Sequence, residues 1–141
     1  MATLKLEIVT PEGRAYSDDV AMVVLPAVEG EIGVYPAHVP LMTQLLPGEL
    51  RIVKDGKTTE LVVGSGFIEV TGDSVSVLTD SALGDDEIDE TATEEAIRRA
   101  EAALKDKSLS SDDTAEVESA LARSLAQIRF KRRRQIGRAH V

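Results

Sequence analysis

The sequence contains no cysteine and no tryptophan, and only two tyrosines and two phenylalanines among its 141 residues. The absence of cysteine excludes disulfide bonds, thiolate metal ligands and a cysteine nucleophile. The longest apolar run, Val20–Leu25, is much shorter than the roughly 18 residues needed to cross a bilayer. The first residues match neither a secretion signal nor a transit peptide, so we expect a chain that starts mature in a cytoplasm or an equivalent space.

Catalytic and metal-binding motifs are also missing. There is no GxxxxGK(S/T) phosphate loop, and the lone Gly64-Ser65-Gly66 predicts a bulge or a close backbone approach rather than a nucleotide site. The two histidines, His38 and His140, cannot form a metal site alone, and no motif supplies His38 with a nucleophile or an orienting carboxylate. We therefore expect no catalytic residue, no metal and no cofactor.

Charge is distributed unevenly: the formal net charge is −9, yet residues 123–141 contain seven basic and no acidic side chains. The basic segment 129–134 is compatible with a solvated tail, a nucleic-acid patch, or a helix end that docks on an acidic protein surface. Composition slightly favours protein docking, because the rest of the chain is acidic and the segment has one aromatic residue. The acidic run Asp85–Glu90 lacks the glycine and ligand spacing of a calcium loop and predicts a solvated linker.

Apolar residues alternate with polar ones in short runs between Leu4 and Asp80, which is typical of half-buried strands. The runs are Leu4/Leu6/Ile8, Val20/Met22/Val24, Leu50/Ile52, Leu61/Val63, Ile68/Val70 and Val75/Val77. Asp55-Gly56 predicts a type I′ turn, and therefore a hairpin from Leu50 to Val63. Short strands without helical patterns between them predict antiparallel sheets in a sandwich or barrel over residues 1–84.

Beyond Gly84 the apolar period becomes helical. Thr91 and Glu94 have capping-box spacing at the start of a first helix, and Ser110 with Asp113 predicts the cap of a second, which extends to about Arg134. The apolar faces contain Ala96, Ile97, Ala100, Ala103 and Leu104 in the first helix and Val117, Leu121, Ser124, Leu125 and Ile128 in the second. Because both faces are narrow and partly alanine, we predict a helical hairpin held by only a few kcal/mol and able to open.

Several stretches resemble the epsilon subunits of F-type ATP synthases. They are EGEIGVYPAHVPL (29–41), LPGELRI (46–52) and GSGFIEV (64–70), and LEIVTPEG (6–13) and VSVLTDSALGDDEID (75–89) fit the same family. The resemblance covers residues 3 to about 90 by motif and the helical part by length and pattern. It implies an α+β chain with an N-terminal antiparallel β-sandwich (1–84), followed by a C-terminal two-helix antiparallel hairpin (85–141).

The resemblance implies a non-catalytic rotor subunit of the central stalk, which couples the catalytic head of a proton- or sodium-translocating ATP synthase to its c-ring. In this family the sandwich binds the gamma subunit and rests on the c-ring, and the loop with Glu31 and His38 matches the ring-facing loop. The implied location is the cytoplasmic face of a bacterial inner membrane, or the stromal side of a chloroplast thylakoid. Membrane contact is implied only through the complex, and no nucleic acid is implied.

The family's helices switch between a folded hairpin and an extended form, in which basic side chains contact the catalytic β subunits and inhibit ATP hydrolysis. The residues available for this role are Arg123, Arg129, Lys131, Arg132, Arg133 and Arg134. Some members bind ATP through Ile/Leu-Asp-x-x-Arg-Ala, of which Asp89 matches here, and Arg99 matches a later family arginine. The second-helix arginines correspond to Ala122 and Ala126, so we expect no useful ATP sensing.

From the residues alone, two further hypotheses remain. One is a free-standing β-sandwich adaptor whose basic helix recruits an acidic protein partner, and stable co-purification with gamma would exclude it. The other is a nucleic-acid binder, which a salt-dependent affinity for DNA would reveal.

Overall fold

Residues 2–139 are described by the computed structural model of the chain, and side chains are described as far as Gln135. His140 lies outside the described residues. The strands are β1 (Leu4–Thr10), β2 (Gly13–Val20), β3 (Met22–Ala27), β4 (Gly30–Val34), β5 (Leu41–Leu45), β6 (Gly48–Lys54), β7 (Lys57–Val63), β8 (Gly66–Thr71), β9 (Ser74–Thr79) and β10 (Ala82–Leu83). A 3-10 turn (Asp85–Glu87) follows, and then the helices α1 (Glu90–Leu104) and α2 (Ser111–Ala139).

The strands form one hydrogen-bonded sheet in the order β10-β7-β6-β3-β5-β8-β9-β1-β2, with β4 beside β3. The two halves meet at β3, whose first residues pair with β6 and whose last residue, Ala27, pairs with Leu45 of β5. Side chains from both halves, among them Leu6 and Ile52, share one buried cluster, so the sheet folds back on itself as a sandwich. The predicted sandwich is confirmed, except that β1 and β9 pair in parallel, which residue alternation does not distinguish.

The predicted run Val20/Met22/Val24 is wrong as a single strand. Val20 ends β2 and Met22 begins β3, so the chain changes strand inside the run. In β3 the buried side chains are Val23, Leu25 and Ala27, while Met22 and Val24 are only half-buried. A shift of one residue moves a whole strand pattern to the other face of the sheet.

The β6–β7 hairpin is confirmed in position and in turn type. Asp55 and Gly56 both have positive φ, +52° and +75°, as a type I′ turn requires. Leu50 pairs directly with Leu61, and both face the core. The outer face of this hairpin therefore presents the alternate residues, including Glu60 and Val62, toward α2.

The two helices pack antiparallel, and Leu125 and Ile128 of α2 lie beside Ile97 of α1. The predicted capping box of α1 is wrong: Asp89 is the N-cap, and its carboxylate accepts a 3.1 Å hydrogen bond from the backbone of Ala92. The cap occurs earlier because an aspartate already precedes the first helical turn. Within residues 2–139, no helix combines the length and apolarity needed to cross a membrane.

The predicted cap of α2 is confirmed, because Ser110 Oγ accepts a 3.1 Å hydrogen bond from the amide of Asp113. The helix continues five residues beyond the predicted end at Arg134. The acidic run 85–90 is not a solvated linker. It contains the 3-10 turn and buries Ile88 against Val62 of β7 and α2, so this segment is part of the junction between sandwich and helices.

Candidate functional site

Five of the six cationic side chains predicted to contact another subunit are paired with carboxylates of this chain itself. The five are Arg123, Lys131, Arg132, Arg133 and Arg134. Arg129 differs: among the described residues it has no carboxylate within ion-pair distance, and its Nε donates to the Leu125 carbonyl at 3.3 Å. The basic segment of α2 therefore lies against acidic groups of the sandwich, the 3-10 turn and α1.

Arg133 lies between two glutamates on the outer face of the β6–β7 hairpin. Its guanidinium donates to Glu49, and to Glu60 Oε2 at 2.9 Å. The hydrogen bond to Glu49 raises the pKa of Arg133 above its ordinary value, and the negative charge of Glu60 adds to this effect. Arg134 also donates to Glu60, at 3.4 Å. Two guanidinium groups thus share the carboxylates of one hairpin.

Phe130 anchors the same part of α2 on the sandwich. Its side chain is only 1% exposed and packs in a cluster with Val62, Ile88 and Ala126. The guanidinium of Arg133 lies 5.8 Å from the centre of the ring. Burial of a phenylalanine contributes roughly 1.5–3 kcal/mol, which exceeds the usual contribution of an exposed ion pair. Burial of Phe130 therefore contributes most to the stability of the contact between α2 and the sandwich. The ion pairs around it fix the position of α2 along the sandwich.

Arg132 joins the two helices rather than α2 and the sandwich. It donates to Glu90 Oε1 at 3.2 Å and to Glu94 Oε1 at 2.7 Å. Hydrogen bonds from Gln135 and then Arg132 lower the pKa of Glu90 below its ordinary value. Lys131 Nζ donates to the backbone carbonyl of Asp85 at 3.0 Å. These contacts hold the start of α1 and the 3-10 turn against the end of α2.

The Gly64-Ser65-Gly66 segment is where the middle of α2 approaches the sandwich. A Cβ on Gly64 would lie 1.7 Å from Asp80 Oδ1, so any other residue here would force the Asp80 carboxylate to move. Asp80 accepts a 3.2 Å hydrogen bond from Arg123, and the hydroxyls of Ser65 and Ser119 are 3.1 Å apart. The predicted close backbone approach is confirmed at Gly66, where an added Cβ would lie 1.7 Å from the backbone oxygen of Leu78, and Gly64 leaves room for the Asp80–Arg123 pair.

The two residues matched to the ring-facing loop lie in different elements. Glu31 is in β4 and is bound through both oxygens by Arg51, with the shorter distance 3.0 Å. His38 is in the loop 35–40, where its Nδ1 is 2.7 Å from the carbonyl oxygen of Val39. Ala37 in this loop has φ +64° and donates a 2.7 Å hydrogen bond to Asp73 in the β8–β9 turn. Both residues are therefore held by contacts that the sequence patterns did not indicate.

A group of large apolar side chains remains exposed on β5, β8 and β9. Met42, Phe67 and Leu78 are 70%, 62% and 56% exposed. Phe67 pairs with Leu78 across the β8–β9 ladder, and Met42 is opposite Glu69 on β5–β8. Clustered apolar exposure of this kind indicates a protein interaction surface. We call Met42, Phe67 and Leu78 the apolar patch.

The residues matched to the family's ATP motif do not converge. Asp89 uses its carboxylate to cap α1, and it lines a cleft with Arg123 and Gln127. Arg99 is exposed on α1 and does not line that cleft. Among the side chains described, as far as Gln135, the guanidinium that lines this cleft is that of Arg123, and it is already paired with Asp80.

Comparisons with known proteins extend along almost the whole chain. The beta-sandwich domain of the ATP synthase Delta/Epsilon chain matches residues 3–85, and its long alpha-helix domain matches residues 86–131. The ATP synthase epsilon chain of Herpetosiphon aurantiacus is 42% identical over 132 residues, which is 94% of this chain and 96% of the relative. That of Dehalococcoides mccartyi is 43% identical over 135 residues, which is 96% of each.

Solved structures agree with the sequence relatives. A chain in the Euglena gracilis mitochondrial ATP synthase, OSCP/F1/c-ring in rotational state 1, is 26% identical with a TM-score of 0.72, over 89% of this chain and 79% of that one. A chain in the central stalk/c-ring of the Tetrahymena thermophila mitochondrial ATP synthase shares the fold, with 13% identity and a TM-score of 0.57, over 89% of this chain and 97% of that one. The resemblance deduced from the motifs is confirmed, and this chain belongs to the ATP synthase delta/epsilon chain family.

Proposed function

We propose that this chain is a non-catalytic rotor subunit of the ATP synthase central stalk, which couples the catalytic head to the c-ring and inhibits ATP hydrolysis through its C-terminal helices. The observation that carries the inhibitory part is the basic segment of α2, whose guanidinium groups are held by exposed ion pairs. Arg133 is 54% exposed even while paired. Exposed pairs of this kind contribute about 0.2–1 kcal/mol each, so they exchange partners readily.

The sandwich, residues 1–84, is the part proposed to contact the stalk and the ring. The apolar patch (Met42, Phe67, Leu78) supports a gamma-subunit contact, because these side chains are exposed in this chain and would be buried by an apolar partner surface. Glu31 and His38 are proposed to contact the c-ring. Arg51 and Asp73 support that role, because they hold the Glu31 side chain and the loop 35–40 in fixed positions.

The hairpin, residues 85–141, is the part proposed to regulate. In an extended form, Arg123 and Lys131–Arg134 would exchange the carboxylates of this chain for acidic segments of the catalytic β subunits, and Arg129, which donates to the Leu125 carbonyl here, would contact them as well. The guanidinium fork binds carboxylates of either source with the same geometry. Asp89 and Arg99 are not proposed as an ATP site, because Asp89 caps α1 and Arg99 lies away from the cleft.

The chain is proposed to be peripheral to the membrane, and to reach it only through the complex. The side concerned is the cytoplasmic face of a bacterial inner membrane or the stromal side of a thylakoid. Neither nucleic acid nor a cofactor is part of this proposal.

The test is ATPase activity of the catalytic head with gamma, with the full chain or a chain truncated after Ala122. We expect the full chain to inhibit and the truncated chain to bind gamma without inhibiting. A matched control replaces Arg98 and Arg99, which are exposed on α1, with glutamine and should inhibit like wild type. Equal activity with full and truncated chains would contradict the inhibitory role, and failure of both to bind gamma would contradict the assignment to the stalk.

The ring contact is tested separately with the Glu31→Ala/His38→Ala double variant in the assembled enzyme. We expect fewer ions pumped per ATP hydrolysed, with gamma binding retained. A wild-type coupling ratio would count against this contact.

A further inference from the structure

Arg51 forms its ion pair across an intervening strand. It lies in β6 and donates to Glu31 in β4, with 3.0 Å between Arg51 Nη2 and Glu31 Oε1. Between them runs β3, whose Val24 pairs with Arg51 on one side and with Gly33 of β4 on the other. Neighbouring strands are about 4.8 Å apart, so the ion pair bridges about 10 Å of the outer face of the sheet. The guanidinium therefore reaches Glu31 only when the side chain extends over β3.

A nearer carboxylate, that of Glu60, lies on the other side of Arg51. Glu60 is directly opposite Arg51 in the β6–β7 ladder, and opposed residues have Cβ atoms about 5 Å apart. Within the part of the chain that the structure describes, Arg51 nevertheless pairs with Glu31. Both oxygens of Glu60 accept hydrogen bonds from α2, Oε2 from Arg133 at 2.9 Å and Oε1 from Arg134 at 3.4 Å. A third guanidinium would be repelled by these two, so Arg51 is left for Glu31.

We propose that Glu31 and Glu60 are alternative partners of Arg51, and that Arg133 and Arg134 decide between them by occupying Glu60. Glu60 is then a positioning residue, because it acts on Glu31 through Arg51. While Glu60 is occupied, Arg51 holds the Glu31 carboxylate over the sheet. When Glu60 is open, Arg51 turns to its opposite neighbour and releases Glu31.

The consequence of this exchange lies at the proposed ring contact. The inference rests on the proposed function in this respect alone, since Glu31 is one of the two residues proposed to contact the c-ring. It goes beyond that function by making the position and net charge of the contact depend on Glu60 in β7, which has no ring contact in the proposal above. The c-ring would meet a neutralised, fixed carboxylate in one state and a free, negatively charged one in the other.

Glu60 is the stronger competitor whenever it is open. It is nearer to Arg51, and its side chain is 25% exposed, against 55% for Glu31. An ion pair that is partly shielded from water is screened less than one at the open surface. Because exposed ion pairs are individually weak, loss of the α2 cations is enough to reverse the choice of Arg51.

The experiment measures how fast Glu31 is labelled by a water-soluble carbodiimide and glycine ethyl ester in the free full-length chain. Labelling at each carboxylate is read by mass spectrometry. The variant Arg133→Gln/Arg134→Gln opens Glu60, and Arg51→Gln gives the labelling rate of Glu31 without its cation. Glu7, which is paired with Arg14 at 3.3 Å and lies away from α2, serves as the internal reference.

We expect labelling of Glu31 to rise about two- to fivefold in Arg133→Gln/Arg134→Gln, the factor that corresponds to one exposed ion pair, and to approach that in Arg51→Gln. The matched control, Arg98→Gln/Arg99→Gln, removes two exposed cations of α1 and should label like wild type. An unchanged Glu31 rate in Arg133→Gln/Arg134→Gln would overturn the proposal.

A third substitution tests whether Glu60 itself is the competitor. Adding Glu60→Gln to Arg133→Gln/Arg134→Gln removes the open carboxylate, so Arg51 should return to Glu31 and labelling should fall to the wild-type rate. A general loosening of the sandwich would not be reversed by this change. Glu49, also bound by Arg133, lies two residues before Arg51 on the same face. Labelling that stays high in the triple variant would assign the effect to Glu49 or to loosening, and would overturn the role of Glu60.

Failure of the inference is distinguishable from failure of the proposed function, because labelling requires neither gamma nor a ring. If Glu31→Ala/His38→Ala keeps a wild-type coupling ratio while the labelling pattern appears as expected, the ring contact is overturned and the exchange of Arg51 between its two partners stands. If the coupling ratio falls while Glu31 labelling is the same in all chains except Arg51→Gln, the ring contact stands and the exchange is overturned.

Discussion

The amide of Ala37 donates a 2.7 Å hydrogen bond to Asp73 Oδ1 across 36 residues of sequence. Ala37 has φ +64°, a conformation that residues with a Cβ rarely adopt without external support. Asp73 supplies that support from the β8–β9 turn. The loop 35–40, which carries His38, is therefore positioned by a side chain of another hairpin.

This relationship predicts the effect of Asp73→Ala. The Ala37 amide should exchange severalfold faster, because its hydrogen-bond acceptor is gone. In the assembled enzyme, ion pumping per ATP should fall in the same direction as in the Glu31→Ala/His38→Ala variant. Asp19→Ala, at an exposed position of β2, is the control and should leave both quantities unchanged. Wild-type exchange at Ala37 in Asp73→Ala would contradict a positioning role.

Phe130→Ala should release α2 from the sandwich. Large-to-small substitution of a buried phenylalanine typically costs about 3–5 kcal/mol, and here the loss falls on the helix contact. We expect amide protection of α2 to decrease strongly while the sandwich core keeps its protection. Phe67→Ala provides the control, since Phe67 is 62% exposed and its removal should leave α2 protected. Equal protection of α2 in Phe130→Ala and wild type would show that Phe130 is not its anchor.

Gly64→Ala should disturb the contact between the middle of α2 and the sandwich. The new Cβ would displace the Asp80 carboxylate and with it the pair to Arg123. We expect a lower thermal midpoint and faster exchange near Ser119. At Gly84, the nearest atom to an added Cβ is 3.6 Å away, so Gly84→Ala should be nearly neutral. The prediction fails if the two alanine variants unfold at the same temperature.

The pair between Glu90 and Arg132 predicts a pH dependence. The folded-state pKa of Glu90 lies below its ordinary value of 4.5, because Gln135 and Arg132 donate hydrogen bonds to the carboxylate. A carboxylate with a lowered folded pKa adds stability above its unfolded pKa and loses it as the pH falls through the folded pKa. Wild type should therefore unfold at a higher temperature than Glu90→Gln at pH 7, and the difference should vanish below the folded pKa.

Thermal unfolding of both chains between pH 7 and pH 3 checks this sign. The control is Glu95→Gln, at an exposed position of α1, which should show no such convergence. A wild-type advantage over Glu90→Gln that is constant from neutral to acid pH would contradict the ion pair.

Local sequence patterns determined the elements whose formation depends on neighbouring residues. The alternation at Leu4, Leu6 and Ile8 predicted a buried strand face, and Asp55-Gly56 predicted the turn of the β6–β7 hairpin. These predictions held because residue periodicity and positive φ are properties of a few consecutive residues. The family resemblance likewise depended on contiguous motifs.

Predictions went wrong where two local signals competed. The alternation across Val20 and Met22 continues through a change of strand, and the capping-box spacing of Thr91 and Glu94 follows an aspartate that already caps α1. Only one of two possible caps begins the helix, and it is the earlier one, because the Asp89 carboxylate already accepts the hydrogen bond from the Ala92 amide.

Tertiary structure alone decided the partners of the basic segment. From composition, its cations slightly favoured an acidic protein surface over a solvated tail or a nucleic acid, without indicating which carboxylates they would contact. The folded chain pairs Arg133 with Glu49 and Glu60, and pairs Arg132 with Glu90 and Glu94. Opposite charges attract each other at any sequence separation. The sequence therefore shows which side chains carry charge, but not which of them pair. Only the packing of Phe130 and the path of α2 along the sandwich determine which of them meet.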